Sequence, residues 1–518
     1  MRIPARGGPT RARDASTYSA PAPIRGWNAR DGVADMAVGF AGRLENWFPT
    51  SSDAMLRKGS TNYTTGLPSQ VETLAAYKPL AGTEAMFAFS GTAAYAVVSG
   101  TVGAAVISSL TNARWQHVNF TTSAGNYLYL VNGVDKPQLW NGTSWVAVDG
   151  VSSPAITGVT TTTLINIAVH KERLWFVQAN TLDLWYLPVQ SVGGAAVKFP
   201  LGSVFKKGGY IMACGSWTMD SGTGPDDLFV IITSEGEVAV YQGTDPASAN
   251  TWGLTGIFNI GTPIGRRCLM KFGGDLLILT TDGVVPASKA LLAGRTTPTI
   301  ATSDNISGAV TDAVNLYAGT FGWSMTQYPE GNMILLNVPV AAGSQEQYVM
   351  NSTTQAWCKF TAWDANCFEV FNGDLYFGGS TVVTKAWTGT DDNGANIVGE
   401  LITAFDYFRN RTGEKQVTMI RPVIGWDSNP ASFVLGIDTD FIITTPTSTV
   451  AFAAGVGGAW DTGTWDSAFW GGSVAYNKDW HTAFGNGYAL AAHLIVSSAD
   501  AQVRLAAFDY TYKRGAVL

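Results

Sequence analysis

Seven short runs of aliphatic and aromatic residues recur through the middle of the chain at nearly even spacing. They are Met86-Phe87-Ala88-Phe89, Leu128-Tyr129-Leu130-Val131, Leu174-Trp175-Phe176-Val177, Leu228-Phe229-Val230-Ile231, Leu276-Leu277-Ile278-Leu279, Ile334-Leu335-Leu336 and Leu375-Tyr376-Phe377. Their first residues lie 42, 46, 54, 48, 58 and 41 positions apart. Runs this short, rich in β-branched and aromatic side chains and bounded by Gly, Asn or Asp, read as strands covered on both faces. A strand-built repeat of roughly 40–50 residues is the period of a propeller blade, a four-stranded sheet. One unit reads as a whole blade: residues 115–120 alternate, 126–131 are near-continuously apolar, and 137–140 and 145–148 follow, with turns at Asn132-Gly133 and Asn141-Gly142. The pattern predicts an all-β chain: a β-propeller of six or seven blades with an N-terminal extension and a C-terminal β module. The large aromatics at repeating positions are expected to pack blade against blade. Helical signal is confined to two turns at residues 285–292.

Composition narrows what such a chain does. Charged residues make up 14% of the 518 and hydrophobic residues 46%, against a typical charged fraction of about 25%. Disorder and long charged helices are excluded, because both need more charge and less apolar surface. No run of about 18 apolar residues exists to cross a membrane as a helix. The formal net charge of −7 argues against a protein that grips nucleic acid, but permits a wall past which nucleic acid slides. Met1-Arg2-Ile3-Pro4 opens without the apolar core of a signal peptide, so the expected site of synthesis is the cytoplasm. Cys214, Cys268, Cys358 and Cys367 form no C-x-x-C pair and are expected as buried free thiols.

The expected division is a flexible basic arm at 1–20 carrying Arg2, Arg6, Arg11 and Arg13, a docking segment at 21–73, the propeller at 74–390 and the C-terminal module at 391–518. In that module, residues 403–407 and 416–422 read as longer strands. The Trp-Asp-rich stretch 460–472 follows, and 490–496 with 503–511 read as a strand pair.

No nucleophile elbow, zincin, phosphate-loop or dinucleotide-binding motif is present. His117, His170, His481 and His493 each stand alone within their segments and are expected to be structural. Asp226-Asp227 and Asp391-Asp392 read as turns, and the second pair lacks the alternating acids of a Ca²⁺ loop. Sialidase-type boxes and blade-terminal Trp-Asp pairs do not repeat. The sequence offers no catalytic residue, metal ligand or cofactor site, and the expectation is a protein that is not an enzyme.

The segment ahead of the repeats is distinctive. It reads Gly26-Trp27-Asn28-Ala29-Arg30-Asp31, then Leu44-Glu45-Asn46-Trp47-Phe48-Pro49, and closes on Arg57-Lys58-Gly59. With the repeats and with Phe405-Asp406-Tyr407 ahead of Gly413-Glu414-Lys415-Gln416, this resembles the tail nozzle ("tail tubular protein B") and tail stabilisation hub proteins of short-tailed bacteriophages. The resemblance implies a structural virion protein: a homohexameric ring below the portal and adaptor, contacting tail fibres or spikes. Double-stranded DNA would leave the capsid through its lumen without specific binding. It makes Arg25, Trp27, Arg30, Asp31, Glu45, Asn46, Trp47, Phe48, Arg57 and Lys58 candidate interface or architecture residues. The alternative is a carbohydrate-binding or carbohydrate-active propeller, a receptor-binding protein or depolymerase.

Overall fold

The computed structural model describes residues 15–220, 225–293, 301–341, 343–427, 432–450, 475–477 and 479–515. The chain forms two compact units. One comprises Ser60–Gln355 and Phe360–Thr388; the other is built from the chain up to Gly59 and from Gly389 onward, with Ala356–Lys359.

The first unit is a β-propeller with seven blades among the described residues. Their inner strands are Val71–Tyr77, Gln116–Thr122, Leu164–His170, Ile211–Asp220, Leu269–Phe272, Ser324–Tyr328 and Cys367–Phe371. Neighbouring blades are in contact around the axis, and Cys367–Phe371 against Val71–Tyr77 closes the circle. All seven apolar runs are second strands of their blades, for example Gly125–Val131 and Arg173–Gln178. A second strand has a strand on each side and a blade above and below, which is why Leu128, Leu174, Phe229 and Leu335 are fully buried. The blade read from residues 115–148 pairs in the expected order, Gln116–Thr122, Gly125–Val131, Gln138–Trp140 and Trp145–Ala147.

The ring closes through a strand the sequence hides. Ser60–Thr65 pairs antiparallel with Val382–Ala386, setting Thr65 opposite Val382 and Ser60 opposite Ala386. The propeller therefore begins at Ser60 rather than at residue 74, which falls inside the first inner strand. Ser-Thr-Asn-Tyr-Thr-Thr is an outer, largely polar strand and leaves no apolar run to detect. Two helices interrupt the repeat after Gly283–Pro286. Ala287–Ala293 matches the two turns expected, whereas Ser307–Tyr317 was not anticipated. Its Ser, Gly, Thr and Asp dilute the apolar stripe to Val310, Ala313 and Val314.

Aromatic rings pack between blades as expected. Phe87 meets Trp140 and Trp145 at centroid distances of 5.1 and 4.8 Å between the first and second blades. Tyr129 meets Phe176 at 5.7 Å between the second and third. Between the third and fourth, Trp175 stacks on Trp252 at 5.7 Å and sits 4.6 Å from Phe229.

In the other unit the two chain ends interleave in two sheets, so the C-terminal segment is not a module of its own. Lys415–Trp426 pairs on one side with His481–Gly487 and on the other with Val503–Arg514. Val503–Arg514 also pairs with Ser16–Pro21 and Ala54–Leu56. The second sheet orders Gly26–Trp27, Phe40–Glu45, Ile397–Thr403, Leu490–Ser498, Ser432–Thr439 and Thr449–Val450. Residues 490–496 and 503–511 thus belong to different sheets and are not a pair: Leu490–Ser498 lies between Ile397–Thr403 and Ser432–Thr439, while Val503–Arg514 pairs with Lys415–Trp426. Nor is the arm flexible to residue 20: Ser16 already pairs with Tyr512, the Tyr18 hydroxyl donates to Asp406, and its ring lies 4.5 Å from Phe408. The sheets face each other closely at Gly399, where a Cβ would come within 2.5 Å of Leu56. Arg2, Arg6, Arg11, Arg13 and residues 460–472 lie outside the described residues.

His170 belongs to the aromatic packing of the third and fourth blades. It is 1% exposed, its Nδ1 lies 3.0 Å from Ser216 Oγ, and its ring centroid is 4.9 Å from Phe229. Burial, helped by the Lys171 charge, lowers its pKa to about 4, against the partial opposition of Asp227. The imidazole is therefore neutral in the folded protein at pH 7. An unfolded chain takes up this proton first, at about pH 6.5, so the stability is complete above that pH and declines as pH falls towards about 4. The loss is about 3 kcal/mol at most. Urea unfolding between pH 7 and 4.5 should show a shallower decline for His170→Gln than for wild type; parallel curves would contradict the assignment.

Candidate functional site

The residues of the distinctive N-terminal segment lie together in the unit formed by the chain ends. Asn28 Oδ1 accepts from the Arg30 and Asp31 amides, both at 3.0 Å, and its Nδ2 donates to Asp31 at 2.8 Å. Arg30 Nε closes the turn on Asp31 at 2.8 Å. Hydrogen bonds from Arg30 and then Asn28 hold the Asp31 carboxyl below its usual range. Arg25 is exposed, with its guanidinium 4.2 Å from the Phe40 ring centroid. Trp27, half-buried, lies in a short strand parallel to Phe40–Glu45.

The second half of the segment is architectural. Glu45 pairs with Lys359 at 2.8 Å. Asn46 adopts a left-handed backbone (φ +59°), which Asn tolerates, and donates from Nδ2 to Val398 O at 2.7 Å. Its Oδ1 accepts from Arg57 Nε at 2.9 Å. Arg57, 1% exposed, adds a fork to Asp392 at 3.0 and 2.5 Å and a bond to Lys58 O at 3.0 Å. Gly59 is required because a Cβ there would sit 1.8 Å from Asp391 O. Asp391-Asp392 is indeed a turn, whereas Asp226-Asp227 lies in the strand Pro225–Thr233, where Asp227 accepts from Thr218. Trp47 (0% exposed) and Phe48 (4%) are enclosed within their own unit, which rules them out as contact residues for another subunit. Arg25, Arg30 and Lys58 remain exposed.

Arg57→Ala leaves the buried face of Asp392 and the Asn46 carbonyl oxygen without their cation, a change that typically costs about 3–5 kcal/mol. Arg57→Lys should fall between, because a point charge cannot make the fork. Arg30→Ala, on a largely exposed pair, should stay within about 1 kcal/mol. Urea unfolding of the three variants checks the order, and equal losses for Arg57→Ala and Arg30→Ala would refute it.

The propeller supplies a different kind of site. The residues ahead of the fifth inner strand reach across the channel, and Arg267 Nη2 donates to Glu72 O (3.0 Å), Thr73 Oγ1 (2.7 Å) and Trp115 O (3.1 Å). Those acceptors belong to the first two blades, on the far side of a seven-blade ring. The Phe321 ring lies 5.3 Å from Arg267 and 4.4 Å from Arg114, which in turn pairs with Glu72 at 2.9 Å. Burial pulls the Arg267 pKa down. A cavity of about 420 Å³ adjoins this bridge, lined by Arg266, Arg267, Asn166, Ser324, His117 and Glu369 among others. Within this lining His117 Nε2 sits 3.2 Å from Glu369, and Lys78 Nζ lies 4.0 Å from the same carboxylate. None of these residues except His117 stood out in the sequence, because they converge from separate blades.

The other histidines also find distant partners: His493 Nε2 lies 3.0 Å from Glu400 and Nδ1 3.1 Å from Asp438. All four cysteines are buried free thiols, with burial raising Cys268 and Cys367 to about 12. Among the described residues no cluster of three His, Cys, Asp or Glu is arranged to hold a metal ion, and no helix is long and apolar enough to cross a membrane.

No family model and no curated protein matches the sequence. Solved structures that match include YCF48 bound to D1 peptide, at 10% identity and TM-score 0.36 over 66% of this chain and 96% of that one. The computationally designed Ika8 protein matches at 11% identity and TM-score 0.35, over 63% and 100%. BBS1N in complex with ARL6DN matches at 11% and 0.31, over 45% and 73%.

Proposed function

We propose that this chain is a structural subunit of a short-tailed phage tail, a nozzle or hub that assembles into a ring below the portal and adaptor. The observation that carries the reading is the Asn46–Arg57–Asp392 cluster. The residues on which the family resemblance rests are the ones whose side chains organise the interleaved chain ends. The exposed Arg25, Arg30 and Lys58 of the same segment are the proposed contacts to a neighbouring copy or to the adaptor, with tail fibres or spikes as further partners. The ring is six-fold by the same resemblance, and the protein's place is the virion tail.

Charge and channel geometry support a conduit made between subunits. A net charge of −7 disfavours the multiple phosphate contacts that would hold DNA in place. Arg267 spans the channel within one propeller, so duplex DNA has to pass through the lumen of a ring of several copies. The second reading, a carbohydrate-binding propeller, draws on the polar cavity beside Arg267.

Mass photometry and negative-stain microscopy of the purified chain, alone and with candidate portal and adaptor proteins, should show rings with a central hole. Monomers under both conditions would sink the ring reading. Fluorescence anisotropy with duplex DNA at about 0.15 M salt should show no saturable binding, since few phosphate contacts are expected.

A further inference from the structure

The half-buried guanidinium that bridges the propeller channel is unlike the buried guanidinium of Arg57. Arg57 meets a carboxylate, whereas Arg267 donates from Nη2 to two carbonyl oxygens and a hydroxyl. Among the described residues Arg267 makes no hydrogen bond from Nε or Nη1, and neither it nor Arg266 forms an ion pair. The nearby acids are engaged elsewhere, Glu72 with Arg114 and Glu369 with His117. The half-buried Arg267 thus keeps Nε and Nη1 available beside the exposed Arg266, and its planar fork matches a carboxylate.

Two further groups on the cavity wall have unused hydrogen-bonding capacity. Asn166 and Ser324, each 6% exposed, come from the third and sixth blades. Asn166 donates from Nδ2 to Arg266 O at 3.4 Å, but its Oδ1 has no partner, and neither has Ser324 Oγ. Unsatisfied buried polar atoms are uncommon enough to need an explanation. The lining thus offers two cations, an unpaired acceptor, a hydroxyl and the Glu369 carboxylate.

We propose that this cavity binds a small carboxylate that also carries hydroxyl groups, a sugar acid, with its carboxylate on Arg266 and Arg267 and its hydroxyls on Asn166, Ser324 and Glu369. Inorganic phosphate answers the cations but, largely acceptor-only, leaves the Asn166 oxygen unmatched and faces Glu369. A neutral sugar answers the acceptors and leaves the cations uncompensated. The volume of 420 Å³ is within the roughly 300–1,000 Å³ of small-molecule sites. The proposal depends on the propeller alone and holds whether or not the chain forms rings.

Isothermal titration of the full chain with D-glucuronate, D-galacturonate, galactose and inorganic phosphate tests it. At least one uronate should bind saturably, with galactose and phosphate each at least roughly tenfold weaker, the scale of one lost charge-assisted hydrogen bond. Arg266→Gln and Ser324→Ala should each weaken the uronate by a similar factor while unfolding at the wild-type urea midpoint. Arg267 is left unchanged because it also holds the first two blades. The assignment is overturned if neither uronate binds at millimolar concentration, or if galactose or phosphate binds as tightly. It is equally overturned if both variants fold normally and bind as wild type.

Discussion

The propeller depends on closing a ring. A row of seven blades has two ends, and each would expose an unpaired face unless the last blade is completed by chain from the beginning. Ser60–Thr65 does this by pairing with Val382–Ala386. The chain must therefore enter and leave the ring at one place, and the residues flanking that place carry the constraint. Gly59 N donates to Gly389 O at 3.1 Å, and Arg57 forks onto Asp392. The ion pair ties the incoming segment to the outgoing one over a sequence separation that no local interaction spans. Beyond it the two ends stay together, as Ala54–Leu56 and Ser16–Pro21 both pair with Val503–Arg514.

This division explains what the sequence could and could not disclose. The second strands were legible because burial on both faces demands continuous apolar residues, as in Leu174-Trp175-Phe176-Val177. Ser60–Thr65 was hidden because an outer strand is selected for exposure and hydrogen bonding, not for apolar content. The helix Ser307–Tyr317 was hidden for a related reason, since three buried positions suffice to dock it. In the other unit the strands themselves were visible at 416–422 and 490–496, but their partners were not. Val503–Arg514 pairs with three segments from both ends of the chain, and nothing in its pattern of alternation names them.

The site residues divide along the same line. Arg57 stood out as a charge in a charge-poor chain, and the structure buries it in a fork onto Asp392. Trp47 and Phe48 stood out as aromatics, yet aromatic character alone does not distinguish an exposed anchor from a core residue; their strand, Trp47–Pro49, is enclosed on both faces. Arg267 gave no signal at all. Its significance arises only when the fifth blade is set opposite the first and second, which is a property of the ring.

Arg57 and Arg267 show how the same group reports different things. For Arg57, the carboxylate partner and Asn46 account for the guanidinium, and the pair reads as part of the scaffold. For Arg267, the structural bonds end on uncharged oxygens, so the fold positions the cation without neutralising it. The positive charge, held beside Arg266 in a cavity whose lining also includes the unpaired oxygens of Asn166 and Ser324, is a reason to look for recognition in the channel rather than for packing.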